Sequence, residues 1–227
     1  MSAPQVEGAA AADGRMKLHW SPSSPFVRKV LIVAHELGLA ERIACVRAAV
    51  GPARLNPEVM ADNPLNKIPT LVDGRMVLFD SRVICEYLDA LDGRGRMFPD
   101  EPGARWTALR RQALADGLVE TAVLLRDEHW RGDGHRSSAH LQAFGTKIPA
   151  CLDALEGDAL DFAEPDIGHV AIACALSYLD FRLPEQQWRA GRPVLADWER
   201  RFAERPSAVA TALFEAGKRP LTFYSME

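Results

Sequence analysis

Ser24, Pro25 and Phe26 stand where a short, partly alternating segment, Met16 to Trp20, gives way to the apolar run Val30 to Ala34. A strand feeding a helix through a Ser/Pro turn puts Ser24 at the N-cap and Pro25 at the first helical position. There the fixed φ of proline suits the helix and its missing N–H is no loss. The Ser24 hydroxyl then lies among unpaired backbone N–H groups at the positive end of a helix dipole, a place suited to holding an anion. The same residue could serve as a cap and nothing more, and this segment alone leaves both readings open. Ser21 and Ser23 share the turn.

A second pair with chemical potential is Asp80-Ser81. Behind it Val83, Ile84, Tyr87, Leu88 and Leu91 recur at helical spacing, so the pair stands at another helix N-terminus. Between the two sites runs Lys67-Ile68-Pro69-Thr70-Leu71-Val72-Asp73-Gly74, followed by Arg75 to Phe79: two short apolar runs about an Asp-Gly turn, which predicts a β-hairpin. Glu128-His129, His135 and His140 are close in sequence, but their spacing fits neither HExxH nor a paired zinc motif. No metal is expected. Trp106, Trp130, Trp188 and Trp198 fall in or beside helical patterns and read as core or cleft wall, not as a nucleic-acid stacking platform.

The elements that must position these residues follow in order. A strand over Met16–Trp20, a helix ending at Gly38 and a strand over Ile43–Arg47 make a β-α-β unit, parallel if the crossover is right-handed. Gly51 to Asn66 carries Pro52, Pro57 and Pro64 and reads as a loop with at most a short helix. After the hairpin and the helix from Ser81, residues 93–103 are rich in glycine, proline and charge, as an interdomain linker is. Strand signals then vanish. A long amphipathic helix runs from Ala104 to about Trp130, and a second covers Leu141 to Leu155, which Pro149 should kink or split. The stretch Asp166 to Tyr178, apolar on nearly every face, belongs at the centre of a domain. A further helix spans Val194 to Phe202.

The bulk properties exclude several classes. The chain has 227 residues and a net charge of -4, so nothing favours a basic surface for nucleic acid or anionic lipid. Lysine occurs only at positions 17, 29, 67, 147 and 218, which makes a lysine inside a motif more informative. Cys45, Cys85, Cys151 and Cys174 are scattered without a CxxC pair, arguing against a disulfide framework and for a reducing cytoplasm. Residues 1–15 are Ala-rich, lack a basic n-region and read as a disordered leader rather than a signal peptide, with Met16 an alternative start. No apolar run approaches the ~20 residues needed to cross a bilayer.

Ser-Pro-Phe at the first helix, Ile-Pro-Thr-Leu before an Asp-Ser pair, and a small α/β domain followed by helices together resemble the cytosolic glutathione S-transferase superfamily. The likeness covers nearly the whole chain from Met16. The resemblance implies an α/β N-terminal thioredoxin-like domain (β-α-β-β-β-α) over residues 16–94 that binds glutathione, a linker at 95–103, and an all-α C-terminal domain over 104–227. Ser24-Pro25-Phe26 looks most like the serine-type classes and bacterial relatives near them. A Cys-Pro-Phe form would mark the cysteine-type class, and this chain departs from it.

Residue by residue, the resemblance makes Ser24 the hydroxyl that donates to the glutathione sulfur, with Ser21 and Ser23 as neighbours able to take that role. A free thiol has a pKa near ~8.5, and a helix N-terminus plus a hydroxyl donor favours the thiolate. A shift of about two units corresponds to roughly 2.7 kcal/mol. Ile68-Pro69 resembles the family's cis-proline, turning the Ile68 backbone toward the cysteinyl part of glutathione as an added strand does. Lys67 sits where related classes place a contact to the glycyl carboxylate, although an exposed, solvated lysine is an equal reading. Ser81 with its helix N-terminus matches a site for the γ-glutamyl carboxylate, and Asp80 a partner for its ammonium, one methylene shorter than the usual glutamate. Pro165-Asp166-Ile167 looks like the start of the family's buried helix, with Ala163 in place of the usual capping hydroxyl at an expected cost of ~1 kcal/mol.

The function implied is a dimeric, cytoplasmic glutathione transferase that adds the glutathione thiolate to an electrophilic, partly apolar small molecule, with glutathione as co-substrate and no metal. The electrophile is expected in a cleft between the domains, near Trp20, Ser21 and Ser23 on one side and Val123, Asp127 and Trp130 on the other. Alternatives are glutathione-dependent isomerisation or peroxide reduction, or a non-catalytic regulatory or assembly role for the same fold. Intact Ser24, Pro69, Asp80 and Ser81 favour an enzyme.

Overall fold

The computed structural model describes residues 14–132, 134–158, 160 and 164–215. The leader, apart from Gly14 and Arg15, and Ala163 lie outside the described residues. The chain forms two compact units, the first running to Gly95 and resuming at Thr211, the second spanning Arg96–Ala210.

In the first unit β1 (Met16–Trp20) leads through the turn 21–24 into α1 (Pro25–Glu36), and β2 (Ile43–Arg47) follows. Ser24 caps α1 in extended geometry and Pro25 occupies its first turn. The helix closes at Leu37 and the chain reverses at Gly38, whose φ of 72° favours glycine. A short α2 (Pro57–Asp62) precedes the hairpin of β3 (Thr70–Asp73) and β4 (Met76–Leu78), and α3 (Ser81–Asp92) completes the unit. The four strands are ordered β2-β1-β3-β4, with β1 parallel to β2 and the other two pairs antiparallel. Leu18, Val30, Ile32, Leu71, Ile84 and Leu88 are fully buried and form the centre of this core. Tyr87 of α3 donates to Asp73 Oδ2 at 2.6 Å, tying the helix to the end of β3.

The second unit is helical: α4 (Pro102–Trp130), α5 (Ser138–Glu156), α6 (Ile167–Arg182), α7 (Pro193–Ala203) and the short α8 (Pro206–Ala210). Nearly every residue of α6 from Ile167 to Leu179 is buried, as its uniform apolar character demands. Gly168 lets α6 approach α4: a Cβ there would stand 2.6 Å from Arg111 Cβ and 2.8 Å from the Ala108 carbonyl oxygen. Beside it Arg111 forks onto Asp158, with Nη2 to Oδ1 at 2.8 Å and Nε to Oδ2 at 3.2 Å. Those hydrogen bonds first, with the charges of Arg111 and Arg110, hold the Asp158 carboxyl below its ordinary range despite burial.

Four sequence expectations are corrected. Of the kink or split expected at Pro149, the split does not occur: the helix is continuous through it, because the carbonyl deprived of a donor is that of exposed Gly145, which solvent can serve. The missing capping box at the start of α6 is present one turn later. Asp166 is itself the N-cap, accepting from His169 N at 3.0 Å, while His169 Nδ1 accepts from Asp166 N at 3.2 Å. The segment expected as linker contributes Met97 and Phe98 to the core of the second unit, with Met97 O accepting from Ile167 N at 2.9 Å. Thr211–Glu215, assigned to the helical domain, belongs with the first unit: Phe214 N donates to Pro22 O at 3.2 Å, and its ring lies 6.5 Å from that of Trp20. No helix among the described residues is long and apolar enough to cross a membrane.

Replacing Gly168 with alanine should cost about 1–3 kcal/mol, since the new methyl meets backbone and must push α6 off α4. A urea unfolding curve measures it. The Asp158 carboxylate contributes stability that is full above the unfolded aspartate pKa of ~3.9 and is lost as pH falls through its lower folded value. The stability gap between the parent protein and Asp158→Asn should therefore be wide at pH ~7 and shrink in acid below that range.

Candidate functional site

The β registers bring three chain segments to one end of the sheet. His19 pairs with Thr70 and Leu71 with Leu78, so the exit of β1 toward Ser24, the entry to β3 from Pro69 and the exit of β4 toward Asp80 share that end. Each segment meets a helix N-terminus or a bend there, where backbone N–H groups are not used by strand or helix.

At the first, Ser24 Oγ accepts from Val27 N at 3.3 Å, and Ser24 N donates to Ser21 O at 3.2 Å. The cap uses an oxygen lone pair of the hydroxyl, not its proton, which can still be donated. Ser21 Oγ and Ser23 Oγ lie 3.3 Å apart and engage each other, whereas Ser24 alone of the three faces the helix. Trp20 is buried.

At the second, the Ile68–Pro69 peptide is cis, as is Phe79–Asp80. Lys67 is exposed and its carbonyl is held from two sides: Asn63 Nδ2 donates to it at 3.2 Å and Thr70 Oγ1 at 2.9 Å. Asn63 Nδ2 also donates to Thr70 Oγ1 at 2.9 Å, and both side chains are completely buried. Asn66, in the left-handed region at φ 54°, donates to Arg54 O and accepts from Asn56 N, both at 2.9 Å. Sequence reading missed these residues. The signal was there in the spacing of Asn56, Asn63 and Asn66 through a proline-rich stretch, since asparagine both tolerates φ > 0 and bonds nearby backbone.

Behind this bend Asp62, the last residue of α2, places Oδ2 2.6 Å from His19 Nε2 and 2.7 Å from Lys17 Nζ. Burial raises the Asp62 carboxyl, but the hydrogen bonds and charges of Lys17 and His19 outweigh it and leave it below its ordinary value. At the third segment Asp80 Oδ1 accepts from Arg82 N at 2.9 Å and caps α3, with Ser81 buried at the first helical position. Asp80 is exposed.

In the second unit Val123, Asp127 and Trp130 follow one another at i, i+4 and i+7 on α4. Asp127 Oδ1 accepts from Arg126 Nε at 3.0 Å, and Arg126 Nη1 donates to Tyr178 OH at 2.8 Å while its guanidinium covers the Trp130 ring at 4.6 Å. Asp127 is thus engaged by a neighbouring cation. The described residues contain no group of three or more His, Cys, Asp or Glu able to hold a metal ion.

Comparison with known proteins gives this geometry a family. The model of the glutathione S-transferase N-terminal domain matches residues 23–91, and that of the C-terminal domain residues 138–201. A GST-like protein of Escherichia coli K12, YibF, itself uncharacterised, is 32% identical over 201 residues, covering 86% of this chain and 98% of its own. The chain belongs to the cytosolic glutathione S-transferase superfamily. Among solved structures, a glutathione transferase family member from Pseudomonas fluorescens Pf-5 with bound glutathione is 38% identical with a TM-score of 0.84, covering 88% of this chain and 100% of the other. A structure of a family member from the same organism with bound S-(propanoic acid)-glutathione has a TM-score of 0.79 at 38% identity, covering 87% and 99%. Both units therefore carry the glutathione transferase fold: a four-stranded mixed sheet with helices, then a helical domain.

Asn63→Ala should cost about 1–3 kcal/mol, because it strips a donor from two acceptors in a fully buried position. Urea unfolding reads the stability. Hydrogen exchange should show the loss of protection centred on residues 63–70.

Proposed function

We propose that this protein is a serine-type glutathione transferase that adds the glutathione thiolate to an electrophilic, partly apolar small molecule. The observation that carries the reading is the Ser24 cap: its oxygen accepts from Val27 N while its proton stays available at the positive end of α1. A thiolate set against that proton gains a hydrogen bond and the favourable field of the helix terminus, and the thiol gains much less. Glutathione is then the nucleophile's carrier. The protein's work is binding, orientation and stabilisation of negative charge on sulfur until it passes into the new C–S bond.

The rest of glutathione finds partners of matching chemistry at the same end of the sheet. The Ile68 backbone at the bend takes its cysteinyl peptide, exposed Lys67 its glycyl carboxylate, the N-terminus of α3 at Ser81 its γ-glutamyl carboxylate, and Asp80 its ammonium. Bound glutathione and a bound glutathione S-conjugate in the Pseudomonas relatives support glutathione as the ligand. Trp20, Ser21 and Ser23, beside the Ser24 turn of the first unit, are the residues assigned to the electrophile. The working form is a cytoplasmic homodimer, joined through α3 and α4; exposed Val83 and Leu91 on α3 and Trp106 on α4 support that surface.

Calorimetry with reduced glutathione, followed by turnover with a panel of electrophiles, tests the reading. No binding at millimolar glutathione would refute it. Ser24→Ala should lose about 1 kcal/mol of stability and slow conjugation at saturating glutathione more than it weakens binding. Ser24→Cys discriminates further. A cysteine at a helix N-terminus is largely thiolate, and it attacks a glutathione mixed disulfide, forming one S–S bond and expelling the other thiol as thiolate. This variant should lose most conjugation and gain thiol transfer. If it conjugates as the parent does and forms no glutathione adduct by intact mass, the sulfur is not at Ser24, and Ser23 or Ser21 takes the role.

A further inference from the structure

Lys17 and His19 lie two residues apart on β1, so their side chains leave the same face of the sheet. Both end on one carboxylate oxygen, Asp62 Oδ2, and that carboxylate comes from the last residue of α2. Asp62 and His19 are almost wholly buried, while Lys17 retains some exposure. The next residue, Asn63, sends its amide to the Lys67 carbonyl and to Thr70 Oγ1, and Thr70 is the β-ladder partner of His19. The contacts therefore close a ring: β1 through His19 to Asp62, along the backbone to Asn63, across to Thr70 on β3, and through the sheet back to His19.

We infer that Asp62 is a positioning residue for the glutathione-binding bend: its bond to Lys17 and His19 fixes where α2 ends, and so where Asn63 holds the Lys67 carbonyl. This inference rests on the functional reading of Lys67–Pro69 above. A bend held only by Asn63 could rotate with the end of α2. Anchoring the preceding residue to β1 removes that freedom before ligand arrives, so less ordering remains for binding to offset. The Lys17 ammonium and the His19 ring converge on the carboxylate because it is shut away from water and needs such partners to remain ionised there. An uncharged amide at position 62 would keep the size, lose the charge and leave the Lys17 ammonium facing that pocket without its counter-ion.

The effect belongs to ligand affinity more than to turnover, since Asp62 touches neither Ser24 nor the sulfur assigned to it. Asp62→Asn should weaken reduced glutathione by about tenfold in Kd, the scale of coupling through a shared hydrogen-bond network. With an activated aryl halide the KM for glutathione should rise in parallel while kcat stays within about twofold. Lys17→Met, at the partly exposed partner, should shift Kd the same way by a smaller factor and serves if Asp62→Asn does not fold. Leu152→Ala, in the core of the second unit, is the control for lost stability, costing about 2–5 kcal/mol. It should leave glutathione affinity unchanged. Parent-like Kd in both Asp62→Asn and Lys17→Met, or an equal rise in Leu152→Ala, overturns the inference. If the parent itself binds no glutathione, the functional reading fails instead, and hydrogen exchange decides the positioning role: residues 63–70 should lose protection in Asp62→Asn and keep it in Leu152→Ala, and unchanged protection in both overturns it.

Discussion

Strand register is the constraint on which the site depends. Because β1 runs parallel to β2 and antiparallel to β3, and β4 returns beside β3, three separate stretches of chain are delivered to one end of one small sheet. A slip of one residue between β1 and β3 would turn Lys17 and His19 to the opposite face and move Pro69 relative to the Ser24 turn. The pattern of burial resists such a slip: Leu18 and Leu71 are register partners and both are fully buried. The sheet core thus sets the geometry of polar residues along and beyond its strands.

Around that frame the first unit uses polar side chains where a larger protein would use more apolar surface. The stretch from Gly51 to Asn66 contains one short helix and three prolines, so few of its backbone groups are paired by regular structure. Asn56, Asn63, Asn66 and Thr70 supply the missing partners. Each buried amide there is a liability if its partner is lost, and a fully satisfied network is correspondingly specific about the conformation it permits. The second unit solves a different problem. Its central helix is buried on nearly every face, so close packing does most of the holding, and at Gly168 it lies so near α4 that a Cβ would not fit.

The sequence made the local parts of this fold legible. Ser24-Pro25, the Asp73-Gly74 turn and Asp80-Ser81 each announce a boundary through residues whose backbone preferences act over three or four positions, and the structure puts boundaries at all three. Parts that depend on partners far along the chain were not legible. Nothing near Asp62 in sequence points to Lys17 or His19, 45 and 43 positions earlier. Pro149 carries a strong local signal for a kink or split, and the exposure of the Gly145 carbonyl to solvent lets the helix run through it unsplit. His169 is not a usual member of a capping box, so the sequence shows only the lack of a hydroxyl at Ala163 and not the ring nitrogen that accepts from Asp166 N. The last described residues, Thr211–Glu215, carry no periodicity that could reveal their return to Pro22 and Trp20.

Under the proposed function, the choice of serine at the head of α1 can be understood from its two halves. A capping side chain must accept from an N–H of the first turn, and a group that steadies a thiolate must donate. Aspartate would cap as well or better, but its negative charge would repel the thiolate and spend the helix field on itself. Cysteine in the same place would ionise and become a rival nucleophile. Alanine would do neither job. A hydroxyl accepts through oxygen and donates through hydrogen at once, without carrying charge, so both requirements are met by one side chain. Pro25 reinforces the arrangement by removing one N–H from the first turn, so the donors that remain belong to Phe26 and Val27, and Val27 is the one that Ser24 takes up.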